Sequence, residues 1–160
     1  MPTAMPDTAT IRPRMAHVIE LVPDALKAML ALSKAAEHAE LPKTTTYLVD
    51  LRASQINGCS YCSDMHSREL KDAGESDVRI WTVAAWRQAP YFTESERAAL
   101  ALTEALTRVA DRPDPVPDEI WDEAARHYDE TALAALIIEI AVINVWNRFN
   151  VATGQPAGSV

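Results

Sequence analysis

The chain has 160 residues, 48% hydrophobic and 24% charged, and a formal net charge of −8. That length suits one domain with a sizeable core, independent of metal or disulfide staples. The negative balance argues against nucleic acid or an anionic membrane surface as a partner, because either would repel it.

Residues 1–12 are polar, contain prolines and lack an apolar run, so a flexible N-terminal arm is expected there, with no secretory signal. A single helical domain is expected over 13–153, then a loose tail over 154–160. Only four glycines occur, and the chain is rich in alanine, leucine, glutamate and arginine. No alternating strand pattern is visible, so the expected fold class is all-α, with about seven helices.

The first helix is predicted over residues 23–39, ended by Leu41-Pro42. The second starts at Lys43 or Thr44, turns Leu48, Leu51 and Ile56 inward and stops at Asn57-Gly58. The third carries the two cysteines and ends near Ala73-Gly74, and Glu75-Ser76-Asp77 opens a fourth that lasts to about Gln88. Thr93 and Glu96 have capping-box spacing and start a fifth, to about Ala110. A stiff loop with three prolines, 111–117, precedes a sixth helix over 118–128, and a seventh is predicted over 130–151. The apolar run 131–145 is too short for a membrane span and carries Glu139, so a buried core helix is expected. With no signal and no span, the expected location is cytoplasmic.

Cys59 and Cys62 are the only cysteines, and His66 follows four residues after the second. On a helix these positions share one face, which brings two thiols and an imidazole into one small space. Asn57-Gly58 sets Cys59 at a helix start, where unpaired amides and the macrodipole favour a thiolate. Thiol redox chemistry therefore leads. Plain burial of two small apolar side chains is the bland alternative. Zinc would find three ligands here where a closed site needs four, and no second Cys/His pair exists. Covalent haem lacks its histidine, since Ser63 follows Cys62, and a thioredoxin fold would need strands. Asn144 and Asn147 lie among apolar neighbours on the last helix; buried amides require partners, so core hydrogen bonding is expected of them, with bracing of the dithiol helix a second role.

The stretch Leu51-Arg52-Ala53-Ser54-Gln55-Ile56-Asn57-Gly58-Cys59-Ser60-Tyr61-Cys62-Ser63-Asp64-Met65-His66 resembles the signature of AhpD-like alkylhydroperoxidases, within the carboxymuconolactone decarboxylase superfamily. The likeness continues through Ala84-Ala85-Trp86-Arg87, Phe92–Leu100 and Ile143–Arg148. It implies an all-α fold assembled as a homotrimer or homohexamer. It also implies a cofactor-free dithiol peroxidase acting on hydrogen peroxide or organic hydroperoxides, with a dithiol protein as reductant. Carried over by position, Cys62 attacks, Cys59 resolves, and His66 belongs to the proton relay. Tyr47, Asp50, Tyr61 and Asn147 are the relay or supporting positions. Better-characterised members carry a glutamate twelve residues before the first cysteine, where Tyr47 stands; a phenol cannot act as a carboxylate base at neutral pH. Some members also have a histidine where Tyr61 stands. Two other functions compete: a decarboxylase acting on a muconolactone-like acid, which needs no dithiol, and a non-enzymatic redox sensor with a weakened relay.

Overall fold

The structure, a computed structural model, describes residues 11–37 and 41–159. Eight α-helices and one 3-10 segment follow one another among the described residues, without a strand: α1 Val18–Leu21, α2 Pro23–Glu37, α3 Lys43–Asn57, α4 Ser60–Asp72, α5 Asp77–Thr82, the 3-10 segment Val83–Gln88, α6 Glu94–Thr107, α7 Asp118–His127 and α8 Glu130–Thr153. The all-α class is as expected. Residues 1–10 of the expected arm, 38–39 of the expected first helix and residue 160 of the tail lie outside the described residues.

Helix α3 is the hub, packed against α4, α6 and α8. Its sequence is not simply amphipathic because it is buried on two sides. Leu48 and Leu51 join Leu70, Trp86, Phe92 and Leu100 in one apolar cluster. On another face Val49 joins Leu102, Leu136 and Ile140, with α7 closing over them through Ala124. Each fully buried leucine or isoleucine contributes roughly 1.5–3 kcal/mol, which makes this hub the rigid part that positions the cysteines.

Two elements depart from expectation. The helix expected over 75–88 splits: α5 stops at Thr82 and Val83–Gln88 winds more tightly, with Ala85 at φ −119°, ψ 28°. Tertiary bonds hold that turn. Trp86 is buried with its indole N–H donating to Glu104 (2.9 Å), while the Arg97 guanidinium donates to the carbonyls of Trp86 (3.1 Å) and Ala89 (2.7 Å). A short α1, unforeseen, precedes α2.

The capping box is present: Thr93 Oγ1 accepts from the Glu96 amide (3.2 Å) and Glu96 Oε2 from the Thr93 amide (2.8 Å). Helix α8 outruns the apolar stretch seen in sequence, reaching 24 residues. By length and composition alone it is able to cross a membrane, contrary to the expectation from the shorter run 131–145. Its packing against α2, α3 and α6, with Leu136, Ile140 and Ile143 buried, makes it a core helix instead. Beyond Gly154 the chain lies against α4: the Ala157 amide donates to Ser60 Oγ (3.3 Å) and the Gly158 amide to Asp64 Oδ2 (2.9 Å).

Candidate functional site

The site begins at the junction of α3 and α4. Gly58, at φ 67°, turns the chain into the left-handed region that a side chain disfavours. The turn pairs the Gly58 amide with the Gln55 carbonyl (3.3 Å) and the Cys59 amide with the Ser54 carbonyl (3.0 Å), the paired-bond pattern that closes many helices. Cys59 is thus the last residue tied to α3 and also the N-cap of α4. Its sulfur accepts from the Cys62 amide (3.2 Å) in place of the usual serine or aspartate oxygen.

That geometry leaves the Cα atoms of Cys59 and Cys62 5.4 Å apart, and the two sulfurs are joined in a disulfide. Both residues are buried. The sulfurs sit at the positive end of α4, which would stabilise a thiolate on reduction. Asn150 of α8 adds to this by donating from Nδ2 to Cys62 Sγ (3.2 Å).

His66, one turn further along α4, is buried, and its Nδ1 meets Glu69 Oε2 at 2.7 Å and Asp50 Oδ2 at 3.8 Å. A carboxylate against Nδ1 places the ring hydrogen there and leaves Nε2 as the lone-pair nitrogen. Nε2 is buried without a partner, as is Asp50 Oδ1. Burial, then the charges of Glu139 and Glu69, raises the Asp50 carboxyl well above the usual carboxylate range. Burial raises the Glu139 carboxyl as well, and Glu139 borders the same space as Asp50.

These groups line a two-lobed cavity. One lobe, about 490 Å³, runs past Cys62, Tyr61, Met65, Ile143, Trp146 and Asn150. The other, about 350 Å³, is bounded by Glu37, Lys43, Thr46 and Tyr47. Ser33, Asp50, His66, Glu69 and Glu139 border both lobes. Cys59 faces a separate depression of about 240 Å³ beside Gln155 and Pro156.

The residues singled out in sequence divide accordingly. Cys59, Cys62, His66, Asp50, Tyr47 and Tyr61 border these cavities. Asn147 does not: its amide donates to Ser54 Oγ (3.0 Å) and its Oδ1 accepts from Asn57 (2.9 Å), bracing the end of α3. Asn144 accepts from the same Asn57 Nδ2 (3.0 Å). Sequence reasoning missed Glu69, Glu139 and Asn150. Glu69 had a signal, its i, i+3 spacing from His66. Glu139 had one in being a lone carboxyl inside an apolar run.

Comparison with known proteins matches a family model, the carboxymuconolactone decarboxylase family, to residues 23–105, more than half of the chain. The chain belongs to the carboxymuconolactone decarboxylase family. YdfG of Bacillus subtilis (strain 168) is 36% identical over 140 residues, spanning 88% of this chain and 94% of that protein. Among solved structures, ATU0492 of Agrobacterium tumefaciens, a protein of unknown function placed with AhpD antioxidant defence proteins, superposes with a TM-score of 0.85. It is 32% identical over 93% of this chain and 100% of its own. The debrominase Bmp8, without ligand, superposes with a TM-score of 0.76 at 25% identity, covering 88% of this chain and 75% of that one. The family placement and the AhpD-like helical fold agree with the resemblance read from residues 51–66.

Proposed function

We propose that the protein is a dithiol peroxidase, reducing hydroperoxides through Cys62 and Cys59. The observation that carries this reading is a closed Cys59–Cys62 pair whose Cys62 side borders a cavity shared with His66. His66 Nε2 takes the Cys62 proton through a water in the cavity they share, and the thiolate attacks the outer oxygen of the hydroperoxide. The O–O bond breaks, sulfur becomes sulfenic acid, and the leaving alkoxide collects the proton from His66 as an alcohol. The Cys59 thiol then attacks the sulfenic sulfur, releasing water and closing the disulfide. A dithiol protein reopens it by exchange and leaves oxidised itself. The separate depression at Cys59 supports that sulfur as the one facing the reductant.

Asp50, Glu69 and Glu139 supply the carboxyl groups that Tyr47 cannot, with Glu69 orienting His66. The reducing cytoplasm suits a dithiol that must be reopened each cycle. Exposed Leu21, Val22, Leu30 and Leu32 support burial of the α1–α2 face in a homotrimer or homohexamer.

The test is reductant-coupled turnover of hydrogen peroxide and cumene hydroperoxide. Wild type should turn over and Cys62→Ser should not; equal activity in both would end the reading. Tyr47→Glu raising a low rate would identify a weakened relay. A second reading, reductive dehalogenation, uses the same dithiol and is favoured by the likeness to Bmp8 and by Trp146, Tyr61 and Met65 lining the larger lobe. Halide release from a brominated pyrrole by the reduced protein, without peroxide turnover, would select it. Lactone turnover indifferent to both cysteines would select the decarboxylase.

A further inference from the structure

The two lobes differ in chemistry, and the difference bears on what can reach Cys62. Beside the sulfur the walls are apolar, with Leu30, Met65, Val142, Ile143 and Trp146 facing the space. The rest of the lining is acidic: Glu20, Asp50, Glu69 and Glu139 border that same lobe, and Glu37, Asp50, Glu69 and Glu139 the other, against a single lysine, Lys43. Asp50 is 4% exposed and its Oδ1 has no hydrogen-bond partner, so a buried acceptor stands at the boundary between lobes. No three His, Cys, Asp or Glu side chains among the described residues are grouped to hold a metal ion.

We infer that this cavity takes a molecule with an apolar body and a protonated amine or other hydrogen-bond-donating head, and rejects carboxylates. The body fills the lobe beside Cys62 and the head lies among Asp50, Glu69 and Glu139. A carboxylate in the same place would meet Glu69 in a half-buried site of low effective dielectric and would have no proton to donate to Asp50 Oδ1. An ammonium head would instead donate to the unpartnered Asp50 Oδ1. The inference deepens the peroxidase reading, by naming which hydroperoxides are admitted: neutral or cationic organic ones, and not fatty-acid or muconolactone-like acids.

Binding tests it apart from turnover. Phenylbutylamine, phenylbutanol and phenylbutyrate share one apolar body and differ in head charge; each is titrated into the intact oxidised protein, followed by Trp146 fluorescence and calorimetry. The amine should bind at least about tenfold more tightly than the carboxylate, a difference of about 1.4 kcal/mol, with the alcohol between them. Glu69→Gln and Glu139→Gln should each narrow that gap. Glu69 is on an accessible part of α4, with its side chain 38% exposed, and so serves if the buried Glu139 variant fails to fold. Carboxylate binding as tight as amine binding, a gap that neither variant narrows, or no binding of any of the three would overturn the inference. Loss of peroxide turnover with the amine preference intact would overturn the peroxidase reading alone. Turnover of a fatty-acid hydroperoxide faster than that of its methyl ester would overturn the inference alone.

Discussion

Truncating Asn150 to alanine isolates the contact between α8 and the reactive sulfur. The Asn150 Nδ2 to Cys62 Sγ bond is 3.2 Å long and buried, and the amide oxygen of Asn150 is already without a partner, so truncation orphans no group except the sulfur. A hydrogen bond to a charged acceptor contributes roughly 1.5–3 kcal/mol, so its loss should cut the thiolate population about 10- to 100-fold. A more basic thiolate is a better nucleophile, with a Brønsted slope of about 0.4–0.5, which returns roughly half of the exponent. The net expectation at neutral pH is alkylation slower by about three- to tenfold. The assay is the iodoacetamide rate against pH, on reduced protein in a Cys59→Ser background so that only Cys62 reports. At alkaline pH, where both proteins are fully thiolate, Asn150→Ala should become the faster, and the two curves should cross. Equal rates at neutral pH, or a uniform slowing at every pH, would refute the assignment of Asn150 as a thiolate donor.

Asp50→Asn should stabilise the fold near neutral pH. The Asp50 carboxyl is raised in the folded protein, chiefly by burial, so the folded state holds its proton more tightly and wild-type stability falls as pH rises past the unfolded carboxylate range. The gain should therefore vanish below about pH 4 in urea melts. Glu104 behaves in the opposite sense. Burial pushes its carboxyl up, but bonds from Arg87, Trp86 and Arg52 outweigh that and hold it below the usual range. Glu104→Ala should cost about 3–5 kcal/mol in urea unfolding, by leaving Arg52 and the Trp86 indole unpaired. The stability that Glu104 contributes is present above the unfolded carboxylate range and lost on acidification, so the gap between wild type and Glu104→Gln should close as pH falls. Gly58→Ala should cost about 1–2 kcal/mol by thermal unfolding, wholly from backbone strain, because an added Cβ would meet nothing within 4 Å.

The dithiol site was legible because its signals are local. Asn57-Gly58 marks a helix end, the cysteine spacing marks a helix start, and His66 falls on the same face. Its supporting carboxyls were harder to see, since α3 and α8 bring Asp50 and Glu139 together across almost ninety residues of sequence, and periodicity says nothing about which faces will meet. Asp50 stood in the sequence only as one of four relay or supporting positions, yet it is buried with its Oδ2 3.8 Å from His66 Nδ1. The break at Thr82 was illegible for a different reason. Neither proline nor glycine stands there, and the tighter winding is imposed from outside by Arg97 and Glu104. Helix α8 was placed to within two residues of its end at Thr153, and what its sequence did not reveal is that Asn150 is buried against Cys62.

Since one residue both finishes α3 and begins α4, the two sulfurs have no intervening linker whose slack must be taken up when they join. Opening and closing the bond then amounts to a rotation of side chains over a fixed backbone. Far-ultraviolet circular dichroism and sedimentation should accordingly be indistinguishable between the oxidised and reduced forms.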